Sequence, residues 1–288
     1  DQSLGDFVNS IYNPNQSLNS SNVAAAAKGI GIVLAANVLT DSDKKPLKTI
    51  NFSLSSSSST ENSGDTITLT ATATEAVTTD TVVTITLGGE ATSNTDYSLS
   101  STTLTISSGS TTGSVTFTLT DDSIYEGDET ISFSTFSITG DSKYTSKSPS
   151  ASFTITENES APTVTLTSSA SSVAENGSAL TLTATLSAVT EVNVTVSIST
   201  SGTGTEGTDY GTVSDITIVG GATTGITSFT PTDDSVFEGS ETGIIAIDTV
   251  SGGGGGVTES GTQAVTITIT DDESAPTVNL TTSASSVA

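Results

Sequence analysis

Residues 161–174 read APTVTLTSSASSVA, and residues 275–288 read APTVNLTTSASSVA. A near-copy of this length marks an internal repeat, and a repeat constrains the fold before any single element does. Further pairs lie between the two copies. ITLTATA at 67–73 matches LTLTATL at 180–186, and TDY at 95–97 matches TDY at 208–210. TDDSIYEGDET at 120–130 matches TDDSVFEGSET at 232–242, and FTITENES at 153–160 matches ITITDDES at 267–274. The offsets stay between 112 and 114, so insertions are small and belong in loops. This gives one unit at 49–160, a second at 161–274 and the first strand of a third at 275–288. Ala288 matches Ala174, after which Glu175 follows, so the pattern breaks inside a strand. The parent chain is therefore expected to be longer.

Within each unit, short alternating runs of Val, Ile, Thr and Phe are broken by Gly, Ser, Asn and Asp, which is the signature of strands and turns. In the second unit the expected strands are 163–167, 180–186, 192–198, 215–219, 224–230, 241–250 and 264–270. One face of most strands is apolar and the other is Thr/Ser, as an antiparallel two-layer sandwich requires. The expectation is all-β: tandem seven-stranded immunoglobulin-like Greek-key sandwiches. Pro162 and Pro276 stand just before a strand in short linkers and should hold adjacent units close. The GGGGG run at 252–256 reads as a flexible hairpin loop. Residues 1–48 form a separate N-terminal segment of unknown role. Within it, 23–40 is the one long apolar run. It carries Lys28, is rich in Ala and Gly, and suits a buried helix, or a helix followed by a strand, better than a membrane span.

The chain has 32 acidic residues against 6 basic ones, a net charge of −26. Nucleic acid and anionic membranes are excluded as natural partners, because both need basic neutralisation. There is no Cys and no His, which removes disulfides, thiolate chemistry and His-based catalysis.

The acids are not spread evenly. Glu61, Asp96, Asp121, Asp122, Glu126, Glu129, Glu157 and Glu159 recur as Glu175, Asp209, Asp233, Asp234, Glu238, Glu241, Asp271, Asp272 and Glu273. These are 17 of the 32. A surface that is merely solvated would scatter them. In a Greek-key sandwich the loops at one end converge, so these acids can meet there. Clustered carboxylates cannot all stay ionised unless a cation relieves them. Calcium, with six to eight oxygen ligands, fits better than magnesium.

The loop D-D-x-x-x-E-G-x-E-T, the D-Y loop, the E-N-G turn and the terminal acidic run together resemble Calx-beta domains. These occur in sodium–calcium exchangers, an integrin β subunit and many large bacterial surface proteins. The resemblance covers about 49–274. It implies a seven-stranded sandwich with calcium at the distal loops, near the next domain. It also implies that the acids named above are ligands and that Ile124 and Val236 supply backbone carbonyls. The first unit departs from the second with Glu157-Asn158 for Asp271-Asp272, and with GGEATSNTDY at 88–97 for the Gly-rich loop. Fewer ions or weaker binding are expected there.

Other motifs fall short. GTGTEG at 202–207 is not followed by a helix, so it lacks the dinucleotide-binding context. Ser42-x-x-Lys45 lies in a polar loop. No enzyme activity is expected. The expected role is a calcium-binding structural array of an extracellular or cell-surface protein, used in adhesion or spacing. Its expected partners are calcium and neighbouring repeats. The alternatives are calcium-dependent recognition of a surface glycan or protein, and self-association into a filament. No direct membrane insertion is expected.

Overall fold

The computed structural model describes residues 48–144 and 150–283. The expected helix at 23–40 lies outside the described residues. Those residues form two β-sandwiches in series, each with its own core.

In the first, the strands are β1 (Ile50–Leu54), β2 (Ser58–Thr60), β3 (Thr66–Ala73), β4 (Thr81–Gly89), β5 (Tyr97–Leu99), β6 (Thr103–Ile106), β7 (Thr112–Leu119), β8 (Glu129–Thr139) and β9 (Ser150–Thr156). The sheets run β1-β3-β7-β5 and β2-β9-β8-β4-β6. In the second they are β10 (Thr163–Ser168), β11 (Ser172–Ala174), β12 (Leu180–Leu186), β13 (Val194–Gly202), β14 (Ile216–Ile218), β15 (Thr224–Phe229), β16 (Glu241–Gly252), β17 (Thr258–Glu259) and β18 (Ala264–Thr270). Their sheets run β15-β12-β10-β17 and β11-β18-β16-β13-β14.

The alternation in the sequence becomes the two faces of each sheet. In β12, Leu182, Ala184 and Leu186 are buried, while the threonines between them are more exposed. β3 repeats this with Ile67, Leu69, Ala71 and Ala73. Phe117 anchors the first core, with ring centroids 5.4 Å from Phe133 and 5.2 Å from Phe153. The second core has one stacked pair, Tyr210 and Phe229, at 4.7 Å.

The seven expected strands of the second unit are all present, but two short ones join them. β11 pairs in parallel with β18, and β17 pairs in parallel with β10. The opening strand of each unit thus starts in one sheet and passes a three-residue piece to the other.

The expected first strand of a third unit does not form over residues 275–283. Val278 and Leu280 are 95% and 94% exposed, whereas their counterparts Val164 and Leu166 are 0% and 4% exposed. β10 is a strand because β12 and β17 hydrogen-bond to it; among the described residues, nothing does so for 275–283.

Each unit takes in the chain at one end and releases it at the other. The last strand, β9, leaves beside the short turn Glu61–Ser63 and the β7–β8 loop, since Thr60 pairs with Thr156 and Glu129 with Ile155. The end of the first unit therefore meets the beginning of the second. The GGGGG run, expected to be a free hairpin, is part of that meeting. Residues Gly252 to Gly256 all have positive φ, and the loop packs on residues 125–127. A β-carbon on Gly254 would lie 1.7 Å from the Glu126 carbonyl oxygen, and one on Gly127 would lie 2.2 Å from the Gly254 carbonyl oxygen. Only glycine permits so close an approach of two backbones.

Three outcomes follow from this packing. Leu182→Ala should cost about 2–5 kcal/mol in denaturant unfolding. Ile226→Ala, at a position 68% exposed, should stay within about 0.5 kcal/mol. Gly254→Ala should leave each sandwich folded by circular dichroism but loosen their contact, read as a larger radius of gyration in small-angle scattering. An unchanged radius would contradict the packing described.

Candidate metal centres

The TDY loop is built identically in both units. Asp96 N–H donates to the Thr92 carbonyl at 3.0 Å, and Asp209 N–H to the Thr205 carbonyl at 2.9 Å. Asn94 N–H reaches the Tyr97 carbonyl at 2.8 Å, and Gly207 N–H the Tyr210 carbonyl at 2.7 Å. Both turns need a left-handed residue, which is Asn94 at φ 72° and Gly207 at φ 86°. Asn tolerates that conformation better than most side chains. The replacement of the Gly-rich loop in the first unit therefore leaves its shape intact. Tyr97 and Tyr210, each 1% exposed, plug the core and fix the preceding aspartate at the rim.

The D-D-x-x-x-E-G loops are shaped by carboxylates. Asp122 Oδ1 accepts from Ile124 N–H, and Asp234 Oδ1 from Val236 N–H, both at 2.7 Å. Glu157 Oε2 accepts from Glu126 N–H at 2.6 Å and Gly127 N–H at 2.8 Å. Asp271 Oδ2 does the same for Glu238 and Gly239. Burial works to raise Glu157, but the N–H groups of Glu159, Glu126 and Gly127 outweigh it and hold it below the ordinary value. The Gly239 N–H leads in lowering Asp271.

The remaining acids gather into triplets whose carboxylate oxygens lie within 4.8 Å of one another. The first unit has an outer triplet, Glu61, Asp121 and Glu159, and an inner one, Asp96, Glu126 and Glu129. The second has Glu175 shared between two outer triplets, with Asp271 and Glu273 and with Asp233 and Asp272, and an inner triplet of Asp209, Glu238 and Glu241. Of the acids singled out in the sequence, only Asp122, Asp234 and Glu157 stand outside the triplets.

One substitution contributes to the difference between the units. Where the second has Asp272, the first has Asn158, whose amide donates to Glu159 Oε1 at 3.1 Å and Asp121 Oδ1 at 3.5 Å. A fixed donor there does part of the work that a cation would do.

A metal fits this donor set. Glu61 Oε1, Glu129 Oε2, Glu159 Oε2, Glu175 Oε1 and Glu273 Oε2 are buried and face no donor. A buried ionised oxygen without a partner costs several kcal/mol. In the metal-free protein these groups resist ionisation. Burial first, then the Glu159 carboxyl, pushes Glu61 up to about 8. Burial, then Asp96, pushes Glu129 up to about 8. Burial also leads in pushing Glu126 and Glu273 up to about 7. Glu175, Glu238 and Glu241 are raised by burial in the same way. A hard cation ligated by these all-oxygen donors would supply the missing positive charge.

One acid outside the expected set belongs here. Glu191, in the β12–β13 turn of the second unit, is raised by burial and then by the charges of Asp96 and Asp122 in the first. It escapes a reading of the sequence unit by unit, because the acids whose charges reach it lie in the neighbouring unit.

The fold and the acid cups define a class: tandem β-sandwiches with carboxylate clusters at one end. The Calx-beta domain model matches residues 43–159 and 157–273, and the chain belongs to that family. No curated protein matches the sequence. Among solved structures, the chain is similar to the apo-form Calx CBD1 domain at 23% identity, covering 38% of this chain and 97% of that one, with TM-score 0.33. It is similar to the calcium binding domain CBD12 of CALX1.1 at 14% identity, covering 70% and 80%, with TM-score 0.32. A tetra-tandem repeat from the extending region of a large adhesion protein matches at 18% identity, covering 78% of this chain and 49% of that one, with TM-score 0.37. Scores of this size carry no argument, and membership rests on the family match. Among the described residues, no helix is long and apolar enough to cross a membrane.

The raised acids set a pH dependence. Their folded-state values exceed the ordinary glutamate value of 4.5, so the folded metal-free protein holds more protons than the unfolded chain between about 4.5 and 8. The stability they contribute is complete below 4.5 and is lost as pH rises through 7 to 8. In chelator, the melting temperature should fall from pH 5.5 to pH 9, and saturating calcium should remove the fall. A melting temperature that rises with pH in chelator would contradict this assignment.

Proposed function

We propose that the chain is a non-catalytic calcium-binding array of an extracellular or cell-surface protein, serving adhesion or spacing. Its working units are 49–160 and 161–274. The acids in the triplets, with Asp122, Asp234 and Glu157, form the sites, joined by the backbone carbonyls of Ile124 and Val236. Calcium fills the cups at the end of each unit from which the chain leaves. The sites lie at the junctions, so the ion controls the shape of the array as well as the stability of each unit.

One observation carries this reading: buried glutamate oxygens that face no donor recur at equivalent positions in both units. Family membership supports calcium as the ion, and the all-oxygen donor set agrees. The single extra outer triplet favours more ions in the second unit than in the first.

Extracellular calcium modules have Kd values of about 10⁻⁴–10⁻³ M. At about 100 times Kd, occupancy adds roughly 2.7 kcal/mol per site. For a domain of this size that amounts to a rise on the order of 10 °C in melting temperature. Chelation should therefore lower the melting temperature by at least that much and enlarge the scattering envelope. Identical melting and scattering with and without chelator would overturn the proposal.

A further inference from the structure

We infer that Glu191, a residue of the second repeat, completes the inner calcium site of the first, so that one ion is held by both repeats. This rests on calcium being the ligand proposed above, and adds a residue and a coupling to it.

The inner triplet of the first repeat is deeply set. Asp96 is 4% exposed and Glu129 is 7% exposed, and Glu129 Oε2 faces no donor. Three carboxylates leave open positions on an ion that takes six to eight oxygens. An acid from outside the repeat is delivered by the main chain. Tyr125 N–H donates to the Val189 carbonyl at 3.1 Å, and Glu191 N–H donates to the Tyr125 carbonyl at 3.2 Å. The Tyr125 hydroxyl donates to the Gly255 carbonyl at 2.6 Å. These three bonds clip the turn at 189–191 and the glycine loop onto the residue next to Glu126. Glu191 is thereby held at the rim of the triplet, and its charge acts on both Glu126 and Glu129.

Among the described residues no lysine offsets that charge. Among the described residues the lysines are Lys48 and Lys143. They sit at the opposite end of the first repeat, beside Glu75 and Asp141. An uncompensated acid facing an acidic cup would push the repeats apart, so a cation between them is what makes the contact favourable.

The residue is particular to this junction. The first repeat has the same turn, since Gly109 N–H bonds the Val77 carbonyl as Gly221 N–H bonds the Thr190 carbonyl. At the position of Glu191 it carries Thr78, which hydrogen-bonds Asp141 within its own repeat. The inner triplet of the second repeat, with no such turn over it among the described residues, is more open. Phe237 there is 44% exposed, against 8% for the equivalent Tyr125.

The test uses the full chain, freed of metal and titrated with calcium by calorimetry. Glu191→Gln is compared with the wild type and with Asp248→Asn, a charge-matched control at an exposed position of β16. We expect Glu191→Gln to weaken one calcium by tenfold or more and to leave the others in place, with Asp248→Asn titrating as the wild type. In scattering, Glu191→Gln should need correspondingly more calcium to compact the two repeats. A Glu191→Gln titration that matches Asp248→Asn, in a wild type that binds calcium, overturns this inference alone. A wild type that takes up no calcium overturns the proposed function and this inference together.

Discussion

Carboxylate oxygens that face only one another set the terms for this protein. Glu61 lies against Glu159, Glu175 against Glu273, and Glu129 against Asp96, and burial with the neighbouring carboxyl raises Glu61, Glu273 and Glu129. Such pairs are costly in a metal-free fold and favourable around a hard cation. The surrounding hydrogen bonds hold them in place. Glu157 and Asp271 tie down the N–H groups of the acidic loops, and Tyr97 and Tyr210 fix the aspartates that precede them. Little of this would be needed if the acids served only solubility.

The direction of the chain converts a local cluster into an array property. Each sandwich releases the chain at its acidic end, so a following repeat is delivered to the cup. The contact is head-to-tail, the kind that propagates in one dimension. Gly254 and Gly127 bring two backbones together at this junction, and Tyr125 spans it. Like charges face one another across this junction, Glu191 on one side and Asp96 and Asp122 on the other, and under the proposed function a cation in the cups offsets them.

Most of the fold was legible in the sequence because its strands alternate strictly. Residues 180–186 and 264–270 are strands over just the expected residues. β11 and β17 were not legible: at two or three residues, paired in parallel at a sheet edge, they carry no period of their own. The acid constellation was legible through its repetition, but the position of Glu157 outside the triplets was not. The GGGGG run is the expected loop between strands, but its packing on residues 125–127 was not legible, because the sequence displays its freedom and not the neighbour that uses it. Residues 275–283 carry a strand pattern without a hydrogen-bonding partner among the described residues, and a strand pattern needs a partner to become a strand. Glu191 was invisible to comparison between repeats for a similar reason: its role depends on which repeat stands before it.

The most direct measurement is anomalous scattering from crystals of the full chain grown with calcium. The account predicts peaks within the triplet of Asp96, Glu126 and Glu129 and within the outer triplets at Glu61 and Glu175. Carboxylate clusters with no anomalous density at saturating calcium would contradict it.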